Sequence, residues 1–399
     1  MPASSNHRIL MLSDRLSARG GADRHLLGLL EHLQGRAQTL LAVGVDDGSL
    51  PKAERPGLGP WQRLKGLERS GLAQRGQKAS YLRLSHVLKE FRPTVIHFHN
   101  IMDPGLLRLG ASSGKALLTV QDHRLFCPGQ GKLRPNGEIC GQALGPKCLT
   151  CFEDREYADK LLSLTRQRLR AAAGFGRVLV LSKYMAQELT RAWTALAVAP
   201  PPLEVLPPFV HGLDIGPRAQ CGDYHLLAGR LVERKGVRTA LEALALLQKP
   251  LPLVIAGDGP LAAEIRDRAA ASQGRLQYLG WADRTSMNRL LAGACSLWLP
   301  SLWAEPFGIV GLEAQAKGVP VIASDVGGVR DWLIPGETGF VIPPGDAAAL
   351  AQAADRLAAD AGLARRLGEQ GSRVVRERFS CPRLMQRLVD CYAEFQGGC

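Results

Sequence analysis

Residues Leu297 to Gly328 read LWLPSLWAEPFGIVGLEAQAKGVPVIASDVGG, and this stretch decides the fold. Leu297 to Leu299 is an apolar run of the kind found in buried strands. Pro300 to Pro306 cannot extend it, because its prolines break a sheet ladder. The pattern then predicts a helix from Phe307 to Lys317, a second buried strand and a glycine turn from Asp325 to Gly328. Glu305 stands just before the predicted helix and Glu313 two turns inside it, so both carboxylates fall near one edge. The backbone N–H groups of Phe307, Gly308 and Ile309 would be unpaired at the helix start, and Gly308 and Gly311 carry no side chain to hold a ligand away. Amides and a helix dipole suit phosphate oxygens, and acceptor-only carboxylates suit hydroxyl groups. A sugar phosphate has both.

Working outward, strand-turn-helix units recur on both sides. Upstream, Arg8 to Ser13, Thr39 to Val43, Thr94 to His99, Ala116 to Gln121, Arg177 to Leu181 and Glu204 to Leu206 read as strands. Closer to the central stretch, Tyr224 to Leu227, Leu253 to Ala256 and Gln277 to Gly280 do the same. Such alternation predicts two doubly wound parallel sheets, with ligands at the strand C-termini. At 399 residues the chain exceeds one ordinary core. We expect an N-terminal domain over residues 1–210, a C-terminal domain over 211–380, and a last helix, 381–399, returning to the first. Pro200, Pro201, Pro202, Pro207 and Pro208 stiffen the linker.

Composition narrows the classes. A hydrophobic content of 46% excludes a disordered chain. No apolar run reaches the roughly 18 residues of a membrane span, and the opening MPASSNHR leaves no room for a signal peptide, so a cytoplasmic protein with mostly reduced cysteines is expected. The net charge of +13 calls for an anionic partner. No nucleic-acid-binding pattern accompanies it, and phosphorylated small molecules fit as well. Between Lys52 and Arg92 cations including Lys65, Arg69, Arg75 and Arg83 crowd around Trp61, Leu64 and Leu67, whose spacing suggests a helix. That helix would either rest on an anionic membrane surface or show a solvated face.

Four further places carry candidate chemistry. Gly20 and Gly21 form a loop before a helix, either an anion site or a tight turn, without the G-x-G-x-x-G spacing of a dinucleotide fold. His97 and His99 share one strand face, but nothing completes a metal set. Arg230 and Lys235 flank a turn between strand and helix where a planar fork and a point charge can reach one diphosphate. Cys127, Cys140, Cys148 and Cys151, spaced C-x12-C-x7-C-x2-C within residues 127–151, can close a structural zinc shell or hold an iron–sulfur cluster. Reduced thiols and disulfides are the other readings.

The run from Glu305 through Glu313 to Gly328, together with G-R-L-x-x-x-K-G at Gly229 to Gly236 and I-A-G-D-G-P at Ile255 to Pro260, resembles the E-x7-E family of retaining glycosyltransferases, family 4. The resemblance covers nearly the whole chain and is denser in its C-terminal half. It implies the two-domain GT-B fold and transfer of a sugar from a nucleotide diphosphate sugar to an acceptor hydroxyl, with retention and without a catalytic metal or other cofactor. By the same resemblance Arg230 and Lys235 neutralise the diphosphate, Glu305 orients the sugar and Glu313 the ribose. Backbone near Gly257 and Tyr278, Gly280 and Trp281 holds the base, and Gly20 and Gly21 lie beside the diphosphate. Relatives place His-Asp at the end of the strand Ala116 to Gln121; here Gln121, Asp122 and His123 stand, so either Gln121 or His123 meets the sugar. The acceptor, a glycan, lipid-linked sugar or small molecule, is unspecified. An epimerase of the same fold, and a non-catalytic nucleic-acid-binding protein with a four-cysteine metal module, are the rival readings.

Overall fold

The computed structural model describes residues 7–72, 77–210, 216 and 222–395. The leading residues 1–6 and Arg75 lie outside them. The chain divides into two compact units. The first comprises Met1–Asn136, Cys140–Pro208 and Pro382–Cys399, the second Gly137–Ile139 and Phe209–Cys381.

The first unit is built on a seven-stranded parallel sheet. Its strands are β1 (Arg8–Leu16), β2 (Gln38–Asp46), β3 (Trp61–Arg63), β4 (Val95–His99), β5 (Ala116–Val120), β6 (Arg177–Val180) and β7 (Leu203–Val205), in the spatial order β3-β2-β1-β4-β5-β6-β7. β4 and β5 are buried along their whole lengths because helices cover both faces, with His97, His99 and Thr119 enclosed among their apolar residues. Ile9 pairs with Val95 where β1 meets β4, and there the winding direction reverses. The helix Cys381–Ala393 belongs to this unit: the Tyr392 hydroxyl bonds His97 Nδ1 at 2.8 Å, and Arg387 pairs with Glu204 at 2.6 Å.

The second unit carries β8 (Tyr224–Ala228), β9 (Leu253–Ala256), β10 (Leu276–Tyr278), β11 (Ala294–Leu299), β12 (Val321–Ser324) and β13 (Gly339–Ile342), all parallel, ordered β10-β9-β8-β11-β12-β13. All six residues of β11 are buried between β8 and β12. His225 and Trp298 stack across the β8–β11 pair, and Ser296 Oγ accepts from Trp298 Nε1 at 3.1 Å and bonds His225 Nδ1 at 2.8 Å. The winding direction reverses between β8 and β11.

The expected helix over Trp61, Leu64 and Leu67 does not form. Trp61 lies in the edge strand β3, and Leu64 and Leu67 are core residues, so the apolar side chains of that basic segment face inward. The helix of this region runs instead over Gln77–Phe91. Among the described residues no helix is long and apolar enough to cross a membrane.

Four buried imidazoles set an expectation for stability. Burial lowers His25 and His225 to about 4 and His99 to about 3, and pushes His97 well below its usual value, with the His99 and His25 charges adding to the effect. Unfolded histidines take up protons near pH 6.5, so below that value unfolding binds protons and stability falls as pH falls, by up to roughly 1.4 kcal/mol per pH unit for each histidine. Three of these four lie in the first unit, where burial also lowers His7. Hydrogen exchange followed unit by unit from about pH 7 to about pH 5.5 should show the first unit weakening more steeply than the second. Equal slopes would contradict this.

Candidate functional site

In a sheet of this type loops leave the strand C-termini and part at the point where the winding reverses, opening a crevice. In the second unit that point lies between β8 and β11, and the loops following those two strands are fastened together. Gly236, at φ 69°, presses so close to the other loop that a Cβ would stand 1.7 Å from the Pro300 carbonyl oxygen. Leu302 N–H donates to the Arg234 carbonyl at 2.9 Å. Arg234 lies over the Trp303 ring at 4.6 Å.

This fastening brings Lys235 and Glu305 together. Glu305 is 2% exposed, and Lys235 Nζ donates to its Oε1 at 2.7 Å. Ser301 Oγ and Trp303 Nε1 donate to the same oxygen at 2.5 and 3.0 Å. Burial alone would raise the Glu305 pKa; the Lys235 charge, then the three donors, outweigh it and hold the carboxyl below its usual value. The carboxylate is therefore ionised and fixed, with all three donors on one oxygen. Its backbone carbonyl is also held, by Gly328 N–H at 2.8 Å. Ser301 and Trp303 were not singled out from sequence; their places four and two residues before a glutamate are the signal that was there.

The neighbouring loops converge on the same sheet edge. Arg230 is exposed on the loop after β8, five positions before Lys235. Leu231 N–H donates to the Asp258 carbonyl at 2.9 Å, and Gly257 lies so close to Gly229 that a Cβ would be 1.8 Å from its oxygen. Gly257 N–H donates to the Gly280 carbonyl at 2.7 Å, and Tyr278 Oη to the Gly257 carbonyl at 3.2 Å. Trp281, 38% exposed, follows. Loops bearing Arg230, Gly257, Tyr278 and Gly280 are thus tied into one surface.

The helix after β11 begins later than expected. It spans Ile309–Ala316, because Gly308 at φ 94° takes the left-handed conformation and interrupts the helical path. Phe307 precedes it, buried, with its carbonyl accepting from Trp332 Nε1 at 2.6 Å. Ile309 is the first helical residue, so the Phe307 amide is not part of the helix start. Glu313 is half-buried on the second turn.

The first unit distributes its candidates differently. Gly20 caps the helix Gly21–Leu33, but the Asp23 carboxylate of the first turn lies beside it, 2.6 Å from where a Cβ would be, and pairs with Arg15 at 2.7 Å. Asp122 accepts from Arg124 N–H at 2.9 Å and Nε at 2.8 Å. His123 is turned inward: it is buried, with Nε2 3.1 Å from Tyr184 Oη and its ring against Phe126. Gln121 instead bonds Asn100 at 2.8 Å and reaches the Ala22 carbonyl at 3.5 Å, at the point where β1 and β4 diverge. His97 is bonded on both nitrogens, to Tyr392 and to Thr119 at 2.6 Å, which removes it as a metal ligand. The four cysteines all line one cavity of about 630 Å³. Among the described residues no group of three or more His, Cys, Asp or Glu side chains is drawn together as a ready-made metal site.

Comparison with known proteins agrees with this architecture. Residues 222–374 match the family profile described as glycosyl transferases group 1, and residues 19–211 the profile described as Glycosyltransferase Family 4. The lipopolysaccharide core biosynthesis glycosyltransferase LpsE of Rhizobium meliloti is 33% identical over 168 residues, 42% of this chain and 47% of that protein. Glycogen synthase of Mycobacterium tuberculosis is 37% identical over 155 residues, 37% of each chain. The chain thus spans less than half the length of these two relatives. Anabaena HepE, solved in complex with UDP and glucose, superposes with a TM-score of 0.70 at 18% identity, covering 98% of this chain and all of that one. That likeness establishes the GT-B fold. With the two profiles together taking in residues 19–211 and 222–374, and so all strands of both sheets but β1, this protein belongs to the family 4 glycosyltransferases.

Proposed function

We propose that the chain is a retaining glycosyltransferase that moves a sugar from a nucleotide diphosphate sugar to an acceptor hydroxyl, in the synthesis of a cell-surface polysaccharide or glycolipid. The observation that carries the proposal is the buried Lys235–Glu305 pair at the point where the second sheet reverses its winding. An ionised carboxylate fixed through one oxygen offers the other to sugar hydroxyls. Beside it Lys235 and the exposed Arg230 meet the diphosphate, neutralising the charge that builds there as the glycosidic bond breaks. Amides at the Gly308–Ile309 turn add the helix dipole. Glu313 takes the ribose hydroxyls, and the tied loops at Gly257 and Tyr278 to Trp281 take the base.

The first unit receives the acceptor, with Gly20, Gly21 and Asp122 on that side. HepE, with UDP and glucose bound, supports a nucleotide diphosphate sugar as donor, and LpsE supports a glycan acceptor.

Lys235→Ala should lower turnover roughly 10²-fold at saturating donor, measured as nucleotide diphosphate release. Near wild-type turnover would refute the role given to this charge. Gly236→Ala probes the fastening of the two loops: left-handed strain and the clash with Pro300 should cost about 1–3 kcal/mol of stability in the second unit. Turnover should fall with it, and unchanged melting together with unchanged turnover would show that the approach of the loops is not needed.

A further inference from the structure

Between β5 and the helix Arg155–Ala172 the chain runs from residue 121 to 154 with only two short 3-10 turns, His123–Leu125 and Pro146–Cys151, as regular helix. Loops of this length inside a compact domain need something to hold them. Apolar burial does not supply it: within residues 127–151 the only buried apolar side chain is Leu144. The loop nevertheless surrounds a cavity of about 630 Å³ lined by all four of its cysteines, and no His, Asp or Glu lines it.

We propose that Cys127, Cys140, Cys148 and Cys151 form a four-thiolate centre for a thiophilic metal, zinc or an iron–sulfur cluster, which staples this loop. Thiolates without oxygen or nitrogen partners select soft, tetrahedral chemistry. The backbone is arranged around the sulfurs. Cys127 Sγ accepts the Lys132 N–H at 3.3 Å, a bond that suits a ligating sulfur. A Cβ on Gly129 would stand 3.9 Å from both Cys127 Sγ and Cys151 Sγ, so the first and last thiols flank one open space that a side chain would fill. Cys140 N–H donates to the Lys132 carbonyl at 2.7 Å, which brings the second cysteine to the first. Cys148 and Cys151 share the second 3-10 turn.

Lys132 is the pivot of this arrangement. It is 5% exposed, adopts φ 63° although it is not glycine, and pairs with Glu188 at 2.6 Å. Its ammonium is taken up by Glu188 and the Gln142 carbonyl, which leaves Arg134 and Lys147 in the cavity lining to offset thiolate charge. None of the four cysteines is in a disulfide. Cys127 N–H donates to the His123 carbonyl at 2.7 Å, so the staple would also fix the segment carrying Asp122 and His123.

The test uses the full chain, produced in metal-replete medium and purified without chelator. Elemental analysis should find about one zinc per chain, or iron with acid-labile sulfide and visible absorption. The two results distinguish the metals and both support the centre. A mercurial reagent acting on the unaltered protein should release the metal in step with blocking of the thiols. Cys148→Ser with Cys151→Ser should reduce the metal to background, while Cys381→Ser should leave it unchanged. Absence of both metals, with the four thiols found by mass spectrometry to be fully alkylated or joined as disulfides, would overturn the proposal.

Discussion

A carboxylate removed from water needs a partner, and Glu305 has one that arrives from a different strand. Lys235 can reach it only because the loops after β8 and β11 leave the sheet side by side, and only because Gly236 has no side chain to hold the Pro300 carbonyl off. The same requirement extends to the third loop, where Gly327 leaves room for the Glu305 backbone and Gly328 bonds its carbonyl. Strand order, two glycines and one ion pair are thus parts of a single constraint. The paired carboxylate is also the feature that ties the fold to the proposed chemistry, since a sugar-binding acceptor must be ionised and immobile before substrate arrives.

Much of this was legible in the sequence, for identifiable reasons. Central strands such as β9 and β11 are buried on both faces, so they appear as largely apolar runs bounded by proline, glycine or charge. β3 escaped because three residues at a sheet edge carry no such signal, and its neighbours Leu64 and Leu67 mimic helical spacing while facing the core. In the site, Lys235 stood out beside Arg230 at a turn between strand and helix, and Glu305 through the E-x7-E resemblance of the residues around it. Their direct contact was hidden, since it depends on which two strands are adjacent. The roles of Ser301 and Trp303 were hidden for the same reason. The helix start was misplaced by two residues because nothing in the local pattern shows that Gly308 turns left-handed instead of helical.

The first unit gathers polar groups of a different character where β1 and β4 part. Asn100, itself at φ 55°, bonds Gln121, and Gln121 lies 3.5 Å from His25 Nδ1; the His97 and His99 rings lie 3.9 Å apart on the same strand, tilted by 40°. Because burial keeps these imidazoles uncharged, this corner presents neutral donors and acceptors, in contrast to the ion pair of the second unit.

The helix Cys381–Ala393 completes a core whose other members were specified far earlier in the chain: Arg387 bonds the Val205 carbonyl 182 positions back, the Tyr392 hydroxyl seals the bond to His97 295 positions back, and the Phe395 ring packs against Gly176. Synthesis on the ribosome runs from one end to the other, so the seven-stranded half is begun first yet must wait, with one flank of its interior uncovered, until Cys381–Ala393 has been made. The six-stranded half, whose segments lie nearly together along the chain, can finish folding in the meantime. The order of manufacture and the order of completion are therefore reversed.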